Sequence, residues 1–148
     1  MVDTPDVLAA ALFDASRHAR IGMHINKGLA GASEEVLARE RNTSINPACL
    51  EAAAFVMIGS QQGSAYPGVA GHEPDFDAGR RAAEETNMAI GIIRDATPGA
   101  GTYSNESDYF EPDWQQAYWG TNYARLLAIK RKVDPDNLFR VHHGVGSE

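Results

Sequence analysis

Apolar residues recur at helical spacing along much of the chain, and stretches of this kind are predicted to form amphipathic helices. Such helices are predicted over residues 4–19, from Ser33 onward, from Asp75 to about residue 95, over 112–119 and over 122–133. Ser33 and Asp75 have side chains that favour helix N-caps, and Asn46 with Pro47 begins a short helical piece. The last helix should end at Asp134, because a residue that precedes a proline is pushed out of the helical region.

Short alternating or continuous apolar runs predict three strands, near residues 22–26, 54–59 and 102–106. Residues 59–74 are rich in glycine and proline and are predicted to form a loop. The mixed order of helices and strands favours an α+β fold, an antiparallel sheet covered by helices. A sheet of three strands has exposed edges. We therefore expect the chain either to form a homo-oligomer or to lie against another polypeptide.

Composition and charge exclude several classes of protein. The chain has 148 residues, 43% of them hydrophobic, which is the size and composition of one globular domain. The net charge of −7 argues against a general nucleic-acid binder. No apolar run approaches the roughly 20 residues of a membrane span, and no secretory signal is visible at the start. Cys49 is the single cysteine and is predicted to be a small buried hydrophobe, since no neighbouring histidine would activate it as a nucleophile.

Residues 103–148 contain a dense series of aromatic and polar residues at fixed spacing. A Y-x-N motif is followed by an aromatic, glycine and asparagine run, then by R-L-x-x-I-K and D-P-x-x-x-F. The positions that carry these motifs are Tyr103, Asn105, Trp114, Tyr118, Trp119, Gly120, Asn122, Tyr123, Arg125, Leu126, Ile129, Lys130, Asp134, Pro135 and Phe139. The segment closely resembles the C-terminal part of the berberine-bridge-enzyme-like FAD-linked oxidases. Residues 24–31 are similar to the substrate domain of fungal members.

This resemblance implies a fold and a chemistry. Enzymes of the family pair an FAD-binding domain with a substrate domain built on an antiparallel sheet. They transfer hydride from a small organic substrate to flavin and then pass the electrons to O₂. Residues 1–102 would form part of the substrate domain and 103–148 the family's C-terminal segment. No counterpart of the N-terminal flavin domain is found, so we expect FAD and activity to depend on a part outside this chain. Members of the family are often secreted, but the sequence leaves the compartment open.

The resemblance also suggests candidate site residues. Tyr103 and Asn105 would share one face of the strand predicted at 102–106 and lie near the flavin, as would Asn122. Tyr103 is also a candidate catalytic residue. Plant-type members usually have a tyrosine directly after the Y-x-N motif, and Glu106 replaces it here as a candidate general base. The structural alternatives are a packed tyrosine, a turn asparagine, a helix cap at Asn122 and a solvated glutamate.

Further candidates come from the strand predicted near 22–26, where His24 and Asn26 would face the substrate. His142 and His143 lack the spacing of a metal site, so no metal is predicted. Arg125 belongs either to a solvated helix face or to a pair with a carboxylate or phosphate. Two alternatives to an oxidoreductase stay open. One is a non-catalytic α+β domain that dimerises, and the other is a small-molecule-binding module without flavin.

The aromatic residues of the C-terminal segment form a group of their own. They are predicted to form either part of the core or an interface with the flavin domain, and they would be an exposed apolar patch without it. The residues concerned are Tyr109, Phe110, Trp114, Tyr118, Trp119 and Tyr123.

Overall fold

The computed structural model describes residues 5–25 and 29–148, and these residues form helices and a small antiparallel sheet. The α-helices are α1 (Pro5–Ala15), α2 (Glu34–Arg41), α3 (Phe76–Ala96), α4 (Trp114–Trp119) and α5 (Tyr123–Val133). The strands are β1 (Arg20–His24) and β2 (Phe55–Gly59), and 3₁₀ turns cover Pro47–Leu50, Ser104–Glu106 and Gly120–Asn122. The predicted α+β class is confirmed.

The chain divides into two compact units. The sheet unit contains the described residues 5–25 and 54–98, and the aromatic unit contains 29–53 and 99–148. In the sheet unit, β1 and β2 pair antiparallel with Arg20 opposite Gly59. Helix α1 packs against α3, and small buried alanines on both helices, Ala15 and Ala89 among them, permit the close approach.

Most helix starts follow the local signals in the sequence. The Asp75 carboxylate accepts a hydrogen bond of 2.8 Å from the backbone N–H of Ala78, so the predicted cap of α3 is confirmed. Ser33 caps α2 in the same way. Helix α5 ends at Asp134, as the following proline predicts. Helix α1 is shorter than predicted, since residues 16–18 form a turn after Ala15.

The prediction of a strand at 102–106 is wrong. Residues Ser104–Glu106 form a 3₁₀ turn, in which the backbone N–H of Glu106 donates to the carbonyl of Tyr103 at 3.1 Å. The physical reason is the run of short polar side chains, which bond locally and compete with strand pairing. The Ser107 hydroxyl, for example, donates to the carbonyl of Ser104 at 3.2 Å. Across the described residues the sheet therefore has two strands.

The predicted burial of Cys49 is also wrong. Cys49 is exposed in the single 3₁₀ turn Pro47–Leu50, which is too short to present a buried apolar face. Partial desolvation raises the pKa of its thiol, so this cysteine lacks the lowered pKa of a nucleophile. No helix among the described residues is long and apolar enough to cross a membrane.

Candidate functional site

Tyr103 and Asn105 form a hydrogen-bonded pair on the 3₁₀ turn of the aromatic unit. The Asn105 side-chain amide donates to the Tyr103 phenol oxygen at 2.9 Å. Both residues are exposed, Tyr103 by 49%. The turn thus brings together the two residues for which the sequence predicted a shared strand face. A phenol and an amide offer both donors and acceptors to a planar polar ring.

Glu106 lies on the same turn with its side chain exposed. Catalytic carboxylates are usually desolvated by their surroundings, and this position does not provide that environment. Its role as a general base stays a prediction.

The base of this turn is anchored to helix α4. The Thr102 backbone N–H donates to the Ala117 carbonyl at 2.8 Å, and the Asn46 side-chain amide donates to the same carbonyl at 2.9 Å. One carbonyl oxygen therefore accepts bonds from the segment that leads to Tyr103 and from the 3₁₀ turn near residue 47. Such shared anchoring restricts the positions available to the pair.

Asn46 has a structural role that the sequence did not reveal. Its amide also donates to the Gln116 carbonyl at 3.2 Å, and its side-chain oxygen accepts from Ala48. A Cβ atom on Gly101 or Gly120 would lie 2.5 Å or 2.6 Å from this side chain. The sequence showed Asn46 only as the start of a helical piece, because its other partners lie about 70 residues away.

Asn122 is buried, and its amide nitrogen donates to the carbonyls of Arg41 at 3.0 Å and Ile45 at 2.9 Å. It occupies the N-cap position of α5, but its side chain makes no capping bond there. The amide is used by the last carbonyl of α2, that of Arg41, and by the carbonyl of Ile45 in the segment that follows. Both amide hydrogens are used there. The predicted flavin contact stays a prediction.

Arg125 reinforces the same junction. Its guanidinium donates to the carbonyls of Asn42 at 3.1 Å and Thr43 at 2.5 Å, rather than to a carboxylate. Together with Asn46 and Asn122, it fastens residues 41–47 to helices α4 and α5. The segment that leads to the Tyr103–Asn105 pair is therefore bonded to α4, which side-chain to backbone hydrogen bonds join to residues 41–47.

The aromatic residues divide into a packed group and an exposed group. Trp114, Trp119 and Tyr123 contact one another with ring centroids 5.7–5.9 Å apart, and Tyr118 is buried beside Trp119. Stacked and edge contacts of this kind stabilise a core. Other large apolar side chains of the unit are more than 60% exposed, namely Tyr109, Phe110, Val133, Leu138, Phe139 and Val141.

Two carboxylates of the aromatic unit are held in the charged form. Asp134 is buried and accepts bonds from Lys130 and from the backbone N–H groups of Leu138 and Phe139. These bonds, that of Lys130 first, lower the pKa of Asp134. The hydroxyl of Tyr123 donates to Glu148 at 2.6 Å and lowers the pKa of that carboxyl. Desolvation lowers the pKa of His143, which favours its neutral imidazole.

These shifts predict that the aromatic unit loses stability in acid. Protonation of His143 opposes folding as the pH falls below its ordinary value of 6.5. The stability from Asp134 and Glu148 is present above their ordinary values of 3.8 and 4.5 and is lost as the pH falls through their lower folded values. Both tryptophans of the chain lie in this unit, so urea unfolding followed by tryptophan fluorescence between about pH 8 and pH 3 reports the effect.

Two variants separate the carboxylate contribution. Asp134→Asn should destabilise the unit at neutral pH and flatten the most acidic part of the profile. Asp136→Asn removes an equal charge from an exposed neighbour and should leave the profile unchanged. An Asp134→Asn profile that falls as steeply as that of the wild-type chain below about pH 4 would contradict the assignment.

The remaining sequence candidates lie elsewhere. His24 is exposed at the end of β1 in the sheet unit, with its ring 6.4 Å from that of Phe55. Asn26 lies outside the described residues. A substrate-facing role for both stays a prediction.

The match to a protein-family model lies within the aromatic unit, and the fold of the chain is similar to that of a solved structure. Residues 102–146 match the family model described as berberine and berberine like. An FAD-linked oxidoreductase of Gibberella zeae is 46% identical over 63 residues, which are 43% of this chain and 11% of that protein. A VAO-type flavoprotein oxidase of Thermothelomyces thermophilus is 51% identical over 53 residues, which are 36% of this chain and 9% of that protein.

The solved structure of a VAO-type flavoprotein from Myceliophthora thermophila is similar to this chain with a TM-score of 0.58. The match covers 87% of this chain and 27% of the flavoprotein at 23% sequence identity, and it supports the fold alone. The chain spans about a tenth of the length of the curated relatives that it matches.

Proposed function

Since residues 102–146 are a segment of the berberine-bridge-like FAD-linked oxidases, we propose that this chain forms the substrate-side part of an FAD-dependent oxidoreductase. FAD, when bound, supplies the ring that accepts hydride from a small organic substrate and passes the electrons to O₂. The chain's own contribution is to position the substrate and to handle the proton that leaves it.

The observation that carries this proposal is the exposed Tyr103–Asn105 pair inside the matched segment. Its phenol and amide groups fit the polar edge of a flavin or a substrate hydroxyl, since both donate and accept hydrogen bonds. The pair is also preorganised, because the bond from Thr102 to Ala117 fixes the start of the turn. Preorganised polar groups lose little free energy when a reacting molecule arrives.

The direction of the hydrogen bond assigns different roles to the two residues. Asn105 donates to the Tyr103 oxygen, so the phenol hydrogen of Tyr103 points away from Asn105. We propose that Tyr103 releases this hydrogen to solvent and then accepts on the same oxygen the proton that leaves the substrate, and that Asn105 is a positioning residue. Asn122 would hold the base of the site and offer its side-chain oxygen.

A flavin domain outside this chain would bind the ADP portion of FAD. The exposed apolar residues of the aromatic unit, such as Phe110 and Phe139, would pack against that domain. Large exposed apolar patches commonly mark protein interfaces.

FAD binding by the purified chain tests whether the ADP portion needs another domain. We expect little flavin to stay with the chain after gel filtration, as measured by visible absorbance of the protein peak. The control is the same procedure on a complete FAD-linked oxidoreductase, which should elute with its flavin. Tight binding of FAD by this chain alone would overturn the assignment of the ADP portion to another domain.

A further inference from the structure

An open cavity of about 470 Å³ lies beside the start of α4 and is lined largely by the C-terminal tail, residues 140–148. Trp114 and Val141 contribute apolar surface to its wall, and Arg140, His142 and His143 contribute nitrogen-bearing side chains. We infer that this cavity binds a compact aromatic carboxylate. Its volume falls in the usual range for small-molecule sites, about 300–1,000 Å³.

The cationic group of the site is Arg140. One of its terminal nitrogens donates to the Ser147 carbonyl at 2.9 Å, which fixes the guanidinium. Within the part of the chain that the structure describes, Arg140 forms no ion pair. A guanidinium has five N–H donors in a planar fork, so several remain to hold a carboxylate.

The acidic group of the wall, Glu148, is charged but does not form an ion pair with Arg140 among the described residues. Its carboxylate already accepts the Tyr123 hydroxyl at 2.6 Å and is attracted by the nearby positive charge of Arg131. Glu148 is therefore held by Tyr123 and Arg131, and the N–H donors of Arg140 that do not bind Ser147 are available to a ligand.

The aromatic preference comes from a column of stacked rings. Tyr109 stacks on His142 with centroids 4.0 Å apart, His142 on His143 at 3.7 Å, and His143 on Trp114 at 5.2 Å. Desolvation and the neighbouring His142 lower the pKa of His143, so its ring is predominantly neutral near pH 7. Because the ring faces of the column cover one another, Trp114, His142 and His143 meet a ligand with their ring edges. An edge-to-face contact of this kind favours an aromatic ligand over a small aliphatic one.

Titration of the full chain with benzoate tests the inference, with acetate and inorganic phosphate as comparison anions. Tryptophan fluorescence reports binding, because Trp114 lines the cavity, and calorimetry provides an independent signal. We expect saturable benzoate binding of roughly millimolar affinity, at least about tenfold tighter than that of acetate or phosphate. The measurement needs no FAD, so its failure would leave the proposed oxidoreductase function untouched.

Matched variants identify the cation. Arg140→Met should weaken benzoate binding at least about tenfold, and Arg140→Lys should weaken it less, because charge remains without the fork. Arg39→Met removes one charge from an exposed arginine of the same unit outside the cavity and should leave binding unchanged. Circular dichroism of each variant verifies that the fold is retained.

Three results would overturn the inference. Benzoate binding that does not saturate in the wild-type chain would exclude the site. Phosphate or acetate binding as tightly as benzoate would exclude an aromatic ligand. An equal loss of affinity in Arg39→Met and Arg140→Met would attribute binding to general charge rather than to the cavity.

Discussion

Tyr103→Phe is expected to slow reduction of the flavin by substrate at least about 100-fold in the FAD-loaded holoenzyme that contains this chain. The phenol oxygen is the group that we propose accepts the proton that leaves the substrate, and Asn105 holds this oxygen at 2.9 Å. Phenylalanine keeps the ring and removes the hydroxyl, so the loss should fall on kcat more than on KM. Anaerobic stopped-flow absorbance of the flavin measures this step directly.

Tyr109→Phe is the matched control for this prediction. It removes a phenol hydroxyl from an exposed tyrosine six positions later in the same segment, outside the pair. We expect Tyr109→Phe to reduce flavin at the wild-type rate. Asn105→Ala should give an intermediate rate and an altered pH profile, because the phenol loses its donor. Wild-type rates in Tyr103→Phe would remove Tyr103 from the proton transfer.

Gly120→Ala is expected to destabilise the aromatic unit by about 2–4 kcal/mol. Gly120 has φ 51° and ψ −131°, a backbone conformation that is largely restricted to glycine. An added Cβ would also lie 2.6 Å from the side-chain oxygen of Asn46. Movement of the Asn46 side chain is costly in free energy, because its hydrogen bonds with Gln116, Ala117 and Ala48 would break. Urea unfolding followed by tryptophan fluorescence measures the change.

Gly99→Ala separates the clash from the backbone strain. Gly99 has φ 82°, and nothing lies within 4 Å of the position of its Cβ. We expect this variant to lose about 1–2 kcal/mol, the cost of a left-handed conformation alone. If Gly120→Ala and Gly99→Ala lost the same free energy of unfolding, the close packing of Asn46 against Gly120 would contribute nothing to stability.

The sequence predicted the elements whose signals are local. Asp75 caps α3 through a bond to a residue three positions away, and Asp134 ends α5 because of its own neighbour. The turn at Ser104–Glu106 escaped prediction, because a short run in which apolar and polar residues alternate is compatible with either a strand or a turn. The exposure of Cys49 escaped prediction for a related reason, because one helical turn does not define a buried face.

The sequence named the candidate site residues, whose role stays a prediction, and the structure supplied their arrangement. The motif spacing pointed to Tyr103 and Asn105, which the structure joins by a hydrogen bond on a turn rather than on a strand. The same spacing pointed to Asn122, whose side chain the structure shows bonded to the carbonyls of Arg41 and Ile45. Nothing in the sequence pointed to Asn46, because a side-chain bond across 70 residues has no local signature.

By itself, the sequence determined the α+β class, most helix boundaries and the similarity to FAD-linked oxidases. Those properties follow from residue type and from spacing over a few positions, where backbone sterics and capping bonds operate. Only the tertiary structure decided which polar side chains contact one another and which form hydrogen bonds with the backbone of distant segments. Hydrogen bonds between distant segments depend on where the folded backbone places unpaired carbonyl groups, and that is set by the packing of the whole unit.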